Sequence, residues 1–214
     1  MVCALLCSTL ARADLERIGA EAAQRYGAKT VAAVDAWRQM MEAAATRPEQ
    51  DRLALVNNFF NRRLRFEDDR QVWNAPDYWA TPLEALSRGA GDCEDFAIAK
   101  FASLRMLGVP AERLRLIYVR ANIGAADSGI SQAHMVLGYY PTPDAEPLVL
   151  DNLINDVRPA GRRPDLFPVF SFSDAGLWVA GASQSSADPT TRLSRWRDVL
   201  DRMGREGIRL VGSP

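Results

Sequence analysis

Histidine and cysteine are scarce in this chain of 214 residues: histidine occurs once, at His134, and cysteine three times, at Cys3, Cys7 and Cys93. Charge of one sign is in no excess. With 26 Lys and Arg against 27 Asp and Glu, the surface carries no large field, so nucleic acid and anionic membranes are not expected partners. No apolar run is long enough to span a bilayer, which excludes direct membrane insertion, and no internal repeat suggests a solenoid. What remains is an ordinary globular composition, 48% hydrophobic, with enough chain for one core and a single domain of about 200 residues.

The apolar run Met1 to Leu10 followed by Ala11-Arg12-Ala13 fits the small-x-small cleavage pattern of a secretory signal, although a basic n-region is missing. Residues 1–13 are therefore expected to be a signal-peptide remnant and 14–214 the single domain, the alternative for 1–13 being a short buried or frayed helix. Leu5 and Leu6 argue against lipidation at Cys7. Without residues 1–13, Cys93 is the only thiol and no intrachain disulfide can form. A solitary cysteine in an oxidising compartment is a hazard unless it is buried or used.

The stretch Gly89-Ala90-Gly91-Asp92-Cys93-Glu94-Asp95-Phe96 leads into the apolar run Ala97 to Leu107, closed by Gly108 and Pro110. Two glycines give a turn, Asp92 is a good N-cap and Asp95 three residues on makes a variant capping box. Cys93 thus falls in the first turn of a helix that is apolar apart from Lys100, Ser103 and Arg105, and so is largely buried. Unpaired N–H groups and the macrodipole there favour a thiolate and can bind an oxyanion.

Before this helix, apolar spacing predicts packing helices over Asp14 to Ala45, broken at Gly27, and another from Pro48 whose face is Leu53, Val56, Phe60 and Leu64. Asn57, Asn58, Asn61 and Arg62 read as its polar side. Glu67-Asp68-Asp69-Arg70 reads as a solvated loop rather than a metal or acid/base site, and Trp73, Tyr78 and Trp79 either pack or wall a cleft. After it, period-two alternation predicts strands over Leu114–Ala121, Ala133–Tyr140 and Leu148–Asn152, with a polar loop from Asn122 to Gln132. A hairpin folded near residues 142–144 puts Asp151 opposite or diagonal to His134. A further strand within Leu166–Phe172, a small polar connection over Gly181–Asp188 and an amphipathic helix carrying Leu193, Trp196, Val199, Leu200 and Met203 complete the chain.

Cys93, His134 and Asp151 together supply a nucleophile, a base and an orienting carboxylate in the order helix, strand, strand. The Cys93 N–H is one oxyanion donor, and the Trp79 indole N–H is a candidate second. Asp92, Glu94 and Asp95 put three negative charges beside the thiol, which opposes a thiolate. They either only cap the helix or, as hard oxygen ligands, hold a calcium ion that reverses that effect. No EF-hand loop is present.

Gly91–Ala97, Ala133–Leu137 and Leu148–Asn152, with Asn61-Arg62-Arg63 and Asp77–Pro82, resemble the bacterial transglutaminase-like cysteine proteinases, specifically the LapG-type periplasmic proteases. The resemblance runs from about Val56 to Asn155. It implies an α+β, papain/transglutaminase-like fold in which N-terminal helices and a central nucleophile helix pack on an antiparallel sheet. It further implies a triad of Cys93, His134 and Asp151, and calcium beside the nucleophile on Asp92, Glu94 and Asp95. The implied activity is cleavage of the N-terminal region of a large biofilm adhesin at a paired-alanine site, in the periplasm. The implied partner is an inner-membrane receptor that sequesters the protease once it has bound cyclic di-GMP. Two other readings stay open: a transglutaminase-type acyltransferase using the same triad, and a non-catalytic peptide-binding module.

Overall fold

Gly27, at φ +84°, separates two helices, residues 16–26 (α1) and Ala28–Ala45 (α2); this left-handed backbone is where a glycine is needed. The computed structural model describes residues 16–124, 129–180, 182 and 184–210, so the expected signal remnant lies outside it, as does the centre of the loop before His134. Helix α3 (Glu49–Arg63) opens on Glu49 and Asp51 and closes on Arg62 and Arg63, each complementing the helix dipole. It buries Leu53, Val56 and Phe60 as the spacing predicts, and Asn57 with them.

Next come β1 (Arg65–Phe66), the single turn α4 (Asp69–Val72) and α5 (Pro82–Arg88). A reciprocal capping box between Thr81 and Glu84 starts α5, and Gly89 in the left-handed conformation ends it. Strand β2 (Ala90–Gly91) pairs in parallel with β1 and delivers the chain into α6 (Cys93–Met106). Every residue of α6 from Asp95 to Arg105 is buried.

The polar residues of α6 are accommodated individually. Ser103 Oγ accepts from Trp37 Nε1 at 2.9 Å and donates to Ala99 O at 2.8 Å. Arg105 pairs with Asp174 at 2.9 Å. Lys100 has no hydrogen-bond partner for Nζ, and its ammonium lies over the Phe96 ring. Burial lowers its pKa to about 7, against the attraction of Asp151.

The second layer is a six-stranded antiparallel sheet: β3 (Leu114–Asn122), β4 (Ser131–Tyr139), β5 (Leu148–Leu150), β6 (Arg158–Pro159), β7 (Leu166–Ser173) and β8 (Gly176–Val179), in the order β6-β5-β4-β3-β7-β8. Alternation assigns its two faces. Leu114, Leu116, Met135, Leu137, Leu150 and Phe172 join the main core with Phe96, Phe101 and the N-terminal helices. Ile117, Val119, Ala121, Val136 and Val149 form a second cluster on the other face. The edge strands β6 and β8 are two and four residues long, too short for a periodic signal.

After the turn α7 (Pro189–Arg192), helix α8 (Ser194–Arg205) lays Trp196 edge-on against Phe101 and Phe172. Among the described residues no helix is long and apolar enough to cross a membrane.

Candidate active site

The turn before α6 is shaped around Asp95. A Cβ on Gly91 would lie 2.5 Å from Asp95 Oδ2, so only glycine lets that carboxylate fold back under the turn. There Asp95 Oδ1 accepts the Ala80 N–H at 2.7 Å and the side chain also takes the Asp92 N–H. The expected capping box is therefore half formed. Asp92 is the N-cap residue, but its side chain caps nothing and its buried Oδ1 has no hydrogen-bond partner.

Cys93 starts the helix and is half-buried. Its thiol donates to Glu94 Oε2 at 3.0 Å, and the Met135 N–H of β4 points at the sulfur. Burial, then Glu94 and Asp92, push the thiol pKa up, and only the Met135 N–H acts the other way. Among the described residues no hydrogen bond joins the thiol to the His134 imidazole.

His134, the neighbour of Met135 on β4, engages Asp151 through Nε2, 2.8 Å from Oδ1. Leu137 pairs with Leu150 across β4 and β5, so Asp151, one residue further on, sits diagonal to His134 as the alternation implies. Asp151 is buried, which raises its pKa, yet His134, the Leu153 N–H and Arg163 outweigh burial and hold it down to about 2. Arg163 Nη2 is 2.8 Å from Asp151 Oδ2, an ion pair without a well-directed hydrogen bond. From the other side α3 fixes the loop after β5. Asn61 Nδ2 donates to the carbonyls of Asp151 (2.8 Å) and Ile154 (3.2 Å), and Asn57 Nδ2 to that of Asn155 (2.8 Å). Asn57 had read only as the polar side of an amphipathic helix, and Asn61 as that and as part of the family motif, with no role given to either.

Beside Cys93 the carboxylates converge. Asp69, expected in a solvated loop, is instead buried at the start of α4, where it accepts the Tyr78 N–H. Its pKa rises to about 6 through burial and the charges of Glu94, Asp77 and Asp68, partly offset by the Tyr78 bond. Burial and neighbouring carboxylates likewise raise Asp92 and Asp95. Ligand atoms of Asp69, Asp92 and Asp95 lie within 4.8 Å of one another, as do those of Asp69, Asp77 and Glu94 and of Asp92, Cys93 and Glu94. Oxygens around one calcium are separated by at most about twice a ~2.4 Å bond, roughly 4.8 Å. Asp69 Oδ1, Asp92 Oδ1 and Asp95 Oδ2 are buried without a hydrogen-bond partner. Orphaned, mutually repelling hard oxygens at this spacing fit a calcium ion. Asp69 and Asp77 join the expected Asp92, Glu94 and Asp95; only their placement in three dimensions reveals them.

Aromatic rings run along the same region. Trp79 stacks on Phe172 (5.6 Å), Phe172 on Phe170 (6.1 Å) and Phe170 on Tyr118 (5.2 Å), whose hydroxyl pKa is raised by burial and by the charge of Glu94. The Trp79 indole, the candidate second oxyanion donor, is directed at the Asp77 carboxylate instead, and Asp77 also pairs with Arg195 at 3.0 Å.

This combination of a cysteine-headed helix docked on a His- and Asp-bearing antiparallel sheet has counterparts in known proteins. The structure is similar to that of Legionella pneumophila LapG, with 39% sequence identity, a TM-score of 0.74, and coverage of 88% of this chain and 97% of that one. The calcium-bound form of LapG matches at 39% identity and a TM-score of 0.75, covering 88% of this chain and 98% of that one. The EGTA-treated form matches at 39% identity and 0.76, covering 88% and 97%. No curated protein sequence matches. Residues 24–184, from the end of α1 past the last strand, match the bacterial transglutaminase-like cysteine proteinases, and the chain belongs to that family.

Proposed function

We propose that this protein is a calcium-dependent cysteine endopeptidase whose triad is Cys93, His134 and Asp151. The observation that carries this reading is the buried His134–Asp151 pair lying beside the strand residue, Met135, whose N–H reaches the Cys93 sulfur. Because Nε2 of His134 is engaged by Asp151, Nδ1 is the ring nitrogen left for the thiol.

In the proposed reaction His134 Nδ1 takes the thiol proton, and Asp151, already ionised, stabilises the imidazolium at Nε2. The thiolate attacks the scissile carbonyl carbon. The resulting oxyanion accepts from the Cys93 N–H, one of the amides at the start of α6 that have no partner within the helix. His134 then returns its proton to the leaving amine, and the C–N bond breaks. Water, deprotonated by the same imidazole, hydrolyses the thioester and regenerates the thiol.

Asp92, Glu94 and Asp95, with Asp69 and Asp77, would hold the calcium ion, which when bound offsets the negative charge that otherwise opposes the thiolate. The similarity to a calcium-bound LapG supports this part of the reading. The family resemblance further supports a periplasmic address, a large biofilm adhesin as substrate, cut at a paired-alanine site near its N-terminus, and a membrane receptor that sequesters the protease when loaded with cyclic di-GMP.

The test is mass spectrometry of a recombinant adhesin N-terminal segment carrying a paired-alanine site, incubated with the protein in calcium or EGTA. Two shorter chains whose masses sum to the substrate plus one water are expected in calcium only, and none with Cys93→Ala. A crosslink or amine adduct would mean an acyltransferase, and binding without any product a peptide-binding module.

A further inference from the structure

On the sheet face turned away from α6 and Cys93 lies a groove of about 440 Å³, floored by Ile117, Val119, Val136 and Val149. Arg115 lines it. The residue is 6% exposed, and its guanidinium packs on the rings of Trp178 (4.1 Å) and Tyr140 (4.5 Å). Arg115 forms no ion pair with a carboxylate among the described residues; its guanidinium donates to the Tyr140 hydroxyl, and its Nε has no hydrogen-bond partner. A buried cation is costly unless it is paired; stacking on rings offsets only part of that cost. Stacking also fixes the guanidinium plane, and a planar carboxylate is the acceptor that best matches it.

The other charged groups on the groove do not fill this role. Arg163 is already paired with Asp151 and Asp165, and Asp144 is exposed and forms no ion pair with Arg115. We propose that the groove docks a segment of a partner protein that presents an acidic side chain flanked by apolar residues, with its carboxylate seated on Arg115. Charge complementarity selects the acidic group, and the apolar floor selects its neighbours. Val179, 60% exposed, and the exposed Pro168 carry the apolar surface out to the rim, beyond what a small carboxylate would cover, and this favours a polypeptide. The groove contains none of Cys93, His134 and Asp151, and Arg163 on its wall is the residue that touches the Asp151 carboxylate, so the docking proposal does not rest on the proteolytic reading.

The experiment is NMR titration of the full protein, following the Arg115 Nε–Hε resonance, which is assigned by its loss in Arg115→Lys. The probes are acetyl-Leu-Asp-Leu-amide, its Asn counterpart and hexanoate, each up to about 10 mM. The acidic peptide should give a saturable shift, with the Asn peptide and hexanoate each roughly tenfold weaker or more. Arg115→Gln should bind the acidic peptide no better than the wild type binds the Asn peptide, judged on backbone resonances. Val179→Asp, at an exposed rim position with Arg115 intact, should weaken the acidic peptide selectively by repulsion. Equal binding of the two peptides, no saturation by the acidic peptide, or hexanoate binding as tightly as the peptide would each overturn the proposal.

Discussion

Gly91 and Asp95 share one space: the side chain that Gly91 lacks would sit 2.5 Å from Asp95 Oδ2. Gly91→Ala therefore displaces a buried carboxylate rather than merely adding a methyl group. We expect a loss of about 1–3 kcal/mol in stability, as for other overpacked sites. The rise in melting temperature on adding calcium should shrink with it, as read by differential scanning calorimetry in calcium and in EGTA.

Asp92→Asn separates the charge effect from the metal effect. Removing one of the crowded carboxylates relieves repulsion in the metal-free protein, so its melting temperature in EGTA should rise by a few degrees, about what 1 kcal/mol gives at this size. In calcium the order should reverse, because the wild type gains about 2.7 kcal/mol at a hundredfold excess over Kd and the variant gains less. Matched thermal scans of both proteins check the crossing.

Asp151→Asn should leave the fold intact and lower kcat by about 10³-fold or more, because the imidazolium loses its counter-charge. Its pH dependence has a definite sign. The Asp151 pKa falls from 3.8 to about 2 on folding, so its stabilisation is complete above about pH 4 and is lost as pH falls through 2. The difference corresponds to about 2 kcal/mol. Urea unfolding at a series of pH values should show that decline in the wild type and a flatter profile in the variant.

Asn61→Ala removes the amide that holds the carbonyls of Asp151 and Ile154. Two neutral hydrogen bonds correspond to about 1–3 kcal/mol. Because the loop they fix carries the carboxylate that orients His134, kcat should fall while KM changes little, measured by steady-state cleavage of a paired-alanine substrate.

How far the sequence could be read follows from which contacts are local. The Gly-Asp-Cys turn, the buried helix behind it and the diagonal placement of Asp151 against His134 all follow from periodicity over a few residues, and the structure reproduces them. Asp69 could not be read that way. Nothing near it in sequence tells that Tyr78 N–H will cap it or that the α6 turn will enclose it, so an acidic run looked solvated. The role of Asn61, quoted in the sequence only as part of a motif, and Arg163 altogether were missed for the same reason, since their partners lie 90 and 12 residues away. The half-formed capping box shows a local rule overridden: Asp92 forgoes its capping bond and turns into the acidic cluster.

The pairing of His134 with Asp151 spans only 17 residues, across one hairpin, whereas Cys93 arrives on a helix from the other layer. Base and orienter can therefore assemble early and locally, while the nucleophile joins them only when helix and sheet dock. A half-folded chain of this kind holds either a thiol without its base or a base without its thiol. In the proposed protease, completion of the tertiary fold is itself the safety catch that keeps a nascent chain from cutting its neighbours.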